Sequence, residues 1–382
     1  MDFNLLFAKI EELFPQYIEI LAHACDIESP TEYKPGVDVC GAFFTDIAKK
    51  HGWDVEIQKE AIAGDPICIT LNPHAKGEPI CLSGHIDTVH PLGFFEQPRV
   101  KNDGERLYGP GVYDCKGGVV ASLLAMDALE QCSFDARPVR LIIQTDEETG
   151  SSTSSKSTLE FMRRKSEGAI AFLNTEGMVR GTLVLERKGI LRYEFIVRGV
   201  ACHSAICQEG ASAIAEAAYK ILELEKMKDS EGLTCNCGVI KGGTAANTVC
   251  DLCTFTADIR FASAEQFEQA KRICREVANK SNIDGCVCEL KLISMRPAMP
   301  HSDRNYELLD RINEICNYTG LQAFKPRKAL GGSDAAYITE FGIPCIDSIG
   351  VRGAWLHSIN EYMILESLME SAKYQAAIAA YM

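Results

Sequence analysis

Apolar residues recur at helical spacing over residues 3–26, a stretch that carries Pro15, and again over 38–51. Three short runs of strand character follow at 54–59, 66–71 and 79–84. A glycine-punctuated loop then leads to a helical stretch at about 118–131, a strand at 139–145, a Ser/Thr-rich turn, a helix at 156–165 and a strand at 169–173. This alternation predicts a sheet with helices on its faces. From about residue 187 the pattern changes to a strand at 190–198, a helix at 211–226, strands at 234–240 and 248–261, a helix at 264–280 and a strand at 286–294. That order, β-α-β-β-α-β, is a ferredoxin-like unit long enough to stand alone. After Pro297 mixed α/β character returns: a helix at 305–318, a Gly-rich loop at 331–332, a helix at 334–341, a strand at 343–349 and a terminal helix from about 361. The expected architecture is an α/β domain with a mixed central sheet, formed by 1–186 and 297–382 and interrupted by a smaller ferredoxin-like α+β domain at 187–296.

At 382 residues the chain is too long for one ordinary core and suits two. With 39 basic against 53 acidic residues it carries a formal charge of −14, a surface that repels phosphate backbones and anionic lipid. No nucleic acid and no membrane is therefore expected as a partner, and no apolar run reaches the ~20 residues of a bilayer span. Asp2, Glu11 and Glu12 stand where an export signal would be basic and then purely apolar, which argues against export. Seventeen cysteines is an odd number, and several (Cys68, Cys81, Cys250, Cys345) lie in apolar runs. They read as reduced thiols acting as small hydrophobes, and the expected compartment is the cytoplasm.

Open α/β sheets place ligands beyond the carboxyl ends of their strands. Ionisable residues gather at those positions here: His85 and Asp87 after the strand at 79–84, Glu147 and Glu148 after 139–145, Glu176 after 169–173, His357 beyond 343–349, and Asp114 in a loop before a helix. Taken singly each has an ordinary explanation, such as surface polarity, a helix cap or a turn. Gly109-Pro-Gly111 lacks the spacing of a phosphate loop. Together, two imidazoles and several carboxylates would converge on one rim, and so many carboxylates require a cation. The mixed N/O donor set suits two Zn²⁺ ions, with Co²⁺ or Mn²⁺ as alternatives. Of His85 and Asp87, two apart on an extended segment, one can bind metal while the other orients it. Of the adjacent Glu147 and Glu148, one can bind metal while the other serves as general base.

Five ordered motifs carry a resemblance: Ser83-Gly-His85-Ile-Asp87-Thr-Val, Gly109-Pro-Gly-Val-Tyr-Asp114-Cys-Lys-Gly-Gly, Thr145-Asp-Glu147-Glu148-Thr-Gly-Ser, Asn174-Thr-Glu176-Gly and His357-Ser-Ile-Asn-Glu-Tyr. Over about residues 70–382 the chain resembles the zinc-dependent exopeptidase and N-deacylase family that includes carboxypeptidase G, acetylornithine deacetylase, succinyl-diaminopimelate desuccinylase and peptidase T. Glu176 and the Gly331-Gly-Ser-Asp-Ala-Ala-Tyr337 segment bring it nearest the carboxypeptidase G branch. The resemblance implies that His85, Asp114 and Glu176 hold one zinc and Asp114, Glu148 and His357 the other, with Asp114 bridging. It further implies Glu147 as general base acting on metal-bound hydroxide, Asp87 as support for His85, and 187–296 as a lid and dimerisation domain between the two parts of a catalytic domain. Through Gly199-Val-Ala-Cys-His203-Ser-Ala it implies that His203 stabilises the oxyanion, often across a dimer interface. Asn247, Arg260, Gly332 and Ser333 are implied substrate-binding residues, and a planar guanidinium suits a carboxylate. Thr182, Val184 and Ala329 stand where glutamate-selective relatives carry basic or hydroxyl groups, so a smaller or less polar side chain is expected. Cys115 stands where Met is common.

The expected activity is that of a cytoplasmic, homodimeric metallopeptidase: a dinuclear-zinc hydrolase cleaving an amide or peptide bond next to a free carboxylate in a small peptide. An N-acyl-amino-acid deacylase is the alternative, and a ligand-binding member without turnover is weaker because every ligand and Glu147 are retained. A thiol-redox or structural-zinc protein is weaker still. Cys250 and Cys253, three apart on a strand, face opposite sides, and neither Cys235-Asn-Cys237 nor Cys286-Val-Cys288 has a second pair at finger spacing.

Overall fold

The computed structural model describes residues 1–382. The chain divides into two units, one of Met1–Leu185, His301–Lys328 and Tyr337–Met382, the other of Glu186–Pro300 and Ala329–Ala336. The short stretch 329–336, grouped with the flanking α/β domain from sequence, thus clusters with the second unit.

The first unit opens with α1 (Phe3–Asp26), capped by the Asp2 side chain, which accepts the Asn4 N–H at 2.9 Å, and α2 (Lys34–His51), closed by Gly52 at φ +74°. There follow β1 (Asp54–Ile57), β2 (Ile67–Leu71), β3 (Ile80–His85), β4 (Lys101–Asn102), β5 (Arg106–Tyr108), α3 (Lys116–Gln131), β6 (Val139–Gln144), α4 (Ser157–Ser166), β7 (Ala171–Asn174) and β8 (Thr182–Arg187). The second unit holds β9 (Gly189–Arg198), α5 (Ala213–Leu224), β10 (Thr234–Gly242), β11 (Leu252–Phe261), α6 (Ala264–Asn279) and β12 (Val287–Arg296). The chain ends with α7 (Asp303–Thr319), β13 (Lys325–Ala329), α8 (Ala335–Glu340), β14 (Cys345–Asp347), β15 (Gly353–Ala354), β16 (Tyr362–Ile364) and α9 (Glu366–Tyr381).

An eight-stranded sheet, ordered β1-β2-β6-β3-β7-β14-β8-β13, organises the first unit. Its centre, β6-β3-β7-β14, is parallel, and β2 and β8 join it antiparallel. Strands β2, β3 and β7 are buried throughout and apolar for most of their length, as a sheet covered on both faces demands. Two glycines press the surrounding segments onto the end of β7. A Cβ on Gly118 would lie 2.1 Å from the Thr175 carbonyl oxygen, and one on Gly350 2.0 Å from it. The residue after Thr175 is Glu176. A smaller antiparallel sheet, β15-β16-β5-β4, ties residues 353–364 to the segment before α3.

The second unit is an antiparallel sheet ordered β10-β11-β9-β12, the ferredoxin-like arrangement expected from the sequence. Alternation is strict: Leu191, Tyr193, Phe195 and Val197 of β9 and Cys253, Phe255, Ala257 and Ile259 of β11 are buried, with the Phe195 and Phe255 rings stacked at 4.7 Å. Residues of opposite parity, Arg192, Asp258 and Arg260 among them, form the polar face.

Helix α2 starts four residues before the expected 38, because Pro35 sits in its first turn rather than breaking it. The terminal helix begins at 366 instead of 361, since 362–364 pair with β5 as a strand. Strands β4, β5, β8, β13, β15 and β16 were not anticipated. No helix is long and apolar enough to cross a membrane.

One buried ion pair joins the two helices of the second unit. Lys220 Nζ lies 3.0 Å from Glu216 Oε1 and donates to the carbonyls of Val277, Ala278 and Lys280 at the end of α6, while Glu216 accepts the N–H groups of Asn282 and Ile283. Removing one member leaves a buried charge without its partner. Lys220→Ala is expected to lower unfolding stability by about 3–5 kcal/mol in chemical denaturation. The exposed pair at Lys226 and Glu223 sets the comparison: Lys226→Ala should change it by less than about 1 kcal/mol.

Candidate metal centre

His85 is the last residue of β3, and burial leaves it 1% exposed. Its Nδ1 lies 3.1 Å from the Asp87 carbonyl oxygen and 3.3 Å from Asp87 Oδ1, which turns Nε2 toward the pocket. There Nε2 meets Asp114 Oδ1 at 3.1 Å and Glu176 Oε1 at 3.7 Å. The other Asp114 oxygen, Oδ2, lies 3.1 Å from His357 Nε2, which is also 3.2 Å from Glu148 Oε2. Two imidazole–carboxylate groups therefore share one aspartate, each of its oxygens facing a different histidine.

Asp87 does more than orient His85. It accepts the Glu147 N–H on Oδ1 at 3.2 Å, and on Oδ2 the Glu148 N–H at 3.1 Å and the Thr31 hydroxyl at 2.7 Å. Burial opposes its ionisation, but these bonds and His85 hold its carboxyl below the ordinary aspartate value. One side chain thus fixes both the imidazole and the turn that presents Glu147 and Glu148. That turn is a single 3₁₀ turn, Glu147–Thr149, closed by Gly150 at φ +65°. Of the two glutamates, Glu148 points to His357, while Glu147 is buried in the same turn.

The pocket carries more negative charge than its imidazoles offset. Burial, and then the Asp114 charge, push Glu176 well above the ordinary glutamate value. Burial pushes Glu148 up to about 7, against its bond to His357 and with the Asp114 charge adding to the rise. His357 is raised to about 10, first by its bond to Asp114 and then by Glu148. The donor set of imidazole nitrogen and carboxylate oxygen, three per group, fits a divalent ion with an open coordination position. His85, Asp114 and Glu148 offer one ligand atom each within 4.8 Å of one another, as do His85, Cys115 and Glu176. The Cys115 sulfur accepts the His85 N–H at 3.0 Å, and burial raises its thiol to about 12.

The remaining sequence-predicted residues lie in the second unit, in two separate groups. His203 is exposed, its Nδ1 accepting the Ala205 N–H at 3.1 Å. It bridges to Thr248, and the Asn247 carbonyl accepts the Ser204 N–H at 2.9 Å, so His203 and Asn247 are neighbours. Arg260 stands at the far end of β11, its Nε 2.6 Å from Asp258 Oδ1, and Asp258 also binds Arg192. Gly332 packs beside it: a Cβ there would lie 2.8 Å from Arg296 Cδ and 3.0 Å from Ile190 Cδ1. Ser333 is buried, its Oγ accepting the Ala335 N–H at 3.2 Å. The register that pairs Leu252 with Arg198 and Arg260 with Ile190 sets the two groups at opposite ends of the sheet. Eight residues of strand separate them, about 26 Å.

Sequence reasoning missed Thr31, which nothing in its surroundings marks, and Glu361. The latter stands inside the His357 motif and is buried, its carboxylate accepting N–H groups from the Asp114 loop.

Residues 81–381 match peptidase family M20/M25/M40. The chain is 27% identical over 381 residues to carboxypeptidase G2 of Pseudomonas sp. (strain RS-16), covering 98% of this chain and 91% of that protein. It is 26% identical over 362 residues to succinyl-diaminopimelate desuccinylase of Nitrosospira multiformis, covering 89% and 91%. The crystal structure of the Bacillus subtilis YXEP protein, described as a dinuclear metal binding peptidase from the M20 family, superposes with a TM-score of 0.70 over 97% of this chain and 98% of that one, at 17% identity, a likeness of fold. The chain belongs to peptidase family M20/M25/M40 and is a metal-dependent exopeptidase or amidohydrolase.

Proposed function

We propose that the protein is a dinuclear-zinc hydrolase that cleaves an amide or peptide bond next to a free carboxylate, as a carboxypeptidase or dipeptidase. The observation that carries this reading is the division of Asp114 between two imidazoles, each paired with a second carboxylate: Oδ1 faces His85, which also meets Glu176, and Oδ2 faces His357, which also meets Glu148. Co²⁺ or Mn²⁺ could replace zinc with this donor set. When bound, the ions supply Lewis acidity and lower the pKa of water in the pocket. Glu147 takes a proton from the attacking water and returns it to the leaving amine. Asp87 keeps His85 and the Glu147–Glu148 turn in register while this happens. His203 donates to the oxygen on which negative charge develops, with Asn247 beside it. Arg260, with Gly332 and Ser333, receives the substrate carboxylate.

The separation of His203 and Asn247 from Arg260 supports a homodimer in which each site draws on both copies. Ile214, Ala218 and Leu222 form an exposed stripe along α5, and Val239 and Ile240 are exposed on the edge strand β10, surface suited to a second copy. All seventeen cysteines are free thiols, which favours a reducing compartment such as the cytoplasm. Deacylation of an N-acyl amino acid is the second reading, favoured by the similarity to a desuccinylase. Hydrolysis of a panel of dipeptides and N-acyl amino acids, with and without zinc after chelation, decides between them. A chain that holds zinc but turns over nothing in the panel would overturn both.

Glu147→Ala should lower kcat by about 10²–10⁴-fold with metal content unchanged, read by steady-state kinetics and elemental analysis. Arg260→Ala should raise KM for substrates with a free carboxylate far more than for their amidated analogues. Mixing His203→Ala and Arg260→Ala chains should restore activity. In a random mixture half the dimers are mixed and each has one intact site, so recovery should approach about a quarter of the unmutated rate. No recovery after exchange of subunits would refute the shared site.

A further inference from the structure

Glu361 is 2% exposed and lies four residues beyond His357. Its Oε1 accepts the N–H groups of Tyr113 at 2.9 Å and Asp114 at 3.0 Å, and its Oε2 accepts that of Gly111 at 3.1 Å. Its main-chain oxygen accepts a fourth, from Gly109, at 3.3 Å. One residue thus satisfies four amides of the loop that presents Asp114, three of them through a buried carboxylate, and it does so from the segment that presents His357. That segment is itself constrained: Trp355 at φ +63° and His357 at φ +60° occupy the left-handed region that side chains of their size rarely adopt. At the loop's other end Lys116 is fully buried. Its N–H donates to the Gly111 carbonyl at 2.8 Å, and its ammonium donates at 3.0 Å to both Ala24 and Ile27 carbonyls at the end of α1.

We propose that Glu361 is a positioning residue of the centre: by gripping the amides of the 109–116 loop from the His357 segment, it sets Asp114 Oδ2 against His357 Nε2 and so fixes the spacing between the two ion sites. The inference rests on the dinuclear reading above. It follows from connectivity. Asp114 and His357 are 243 residues apart (357 − 114) and sit on irregular loops, so their 3.1 Å approach is only as well defined as the bonds that join those loops. The Glu361 side chain supplies three of these bonds. Each amide deprived of its acceptor in this buried loop would carry a desolvation cost, which the loop could relieve by turning Asp114 out of place.

The test compares unmutated protein, Glu361→Ala and Glu361→Gln, each stripped of metal and titrated with zinc against a chromophoric chelator, and with cobalt for its visible spectrum. Melting temperatures of the metal-free forms serve as the structural control. Glu361→Ala is expected to weaken zinc binding by about 10–100-fold, the range for groups that orient metal ligands, and to alter the cobalt spectrum. Its kcat should fall with KM little changed at saturating zinc. Glu361→Gln, which keeps an oxygen for Tyr113 and Asp114 but turns an NH₂ toward the Gly111 N–H, should lie between the two. A Glu361→Ala protein with unmutated zinc affinity and cobalt spectrum would overturn the proposal. So would a Glu361→Ala that fails to fold together with a Glu361→Gln of unmutated affinity. Failure of the unmutated chain to hold two ions would instead bring down the dinuclear reading and this inference with it.

Discussion

Carboxylates crowded into a buried pocket repel one another, and this chain manages the repulsion by giving them two kinds of partner. Asp114, Glu148 and Glu176 direct oxygens at imidazoles. Asp87, Asp146 and Glu361 are satisfied largely by the main chain and by hydroxyls. Asp87 takes the N–H groups of Glu147 and Glu148, Asp146 those of Ser154 and the Thr158 hydroxyl, and Glu361 those of Gly111, Tyr113 and Asp114. Amide dipoles stabilise negative charge without adding a mobile cation that would compete for the pocket. The anchored carboxylates in turn hold the loops from which the others project. The geometry of the centre is therefore an arrangement of backbone as much as of side chains.

What the sequence revealed follows the same division. Strands β3, β6 and β7 are apolar runs ending in His85, in the Glu147 turn and before Glu176, so both the sheet and the chemistry at its rim could be read together. The anchoring roles could not. A carboxylate that accepts amides from a loop 250 residues away leaves no spacing or periodicity behind, and Glu361, although inside the His357 motif, carries no local mark of that role. The strands that escaped notice are short or at edges. β13, Lys325-Pro-Arg-Lys-Ala, is charged and contains a proline, which an edge strand tolerates and a pattern search rejects. Val184 is instructive as well: read as a contributor to substrate preference, it lies fully buried in β8 opposite Asp347, where it packs the sheet.

In the second unit the alternation that builds the core also distributes the polar groups. Residues of one parity on β9 and β11 pack under α5 and α6, so Arg192, Asp258 and Arg260 necessarily share the opposite face. Asp258 neutralises part of the charge of both arginines and holds Arg260 in one orientation, which lowers the cost of ordering that side chain around an anion.

The two histidines of the centre are 272 positions apart (357 − 85), with the whole of the second unit between them. The terminal helix bonds to α3 and to the segment after β14, Gln375 accepting from Ser122 and Ser371 donating to the Ile349 carbonyl. A ribosome has therefore released nearly the entire polypeptide before both imidazoles can meet. By then the first 176 residues have already supplied His85 and the carboxylates Asp114, Glu148 and Glu176, and only the second imidazole emerges late, so the His357 side of this rim is the last part of it to be assembled.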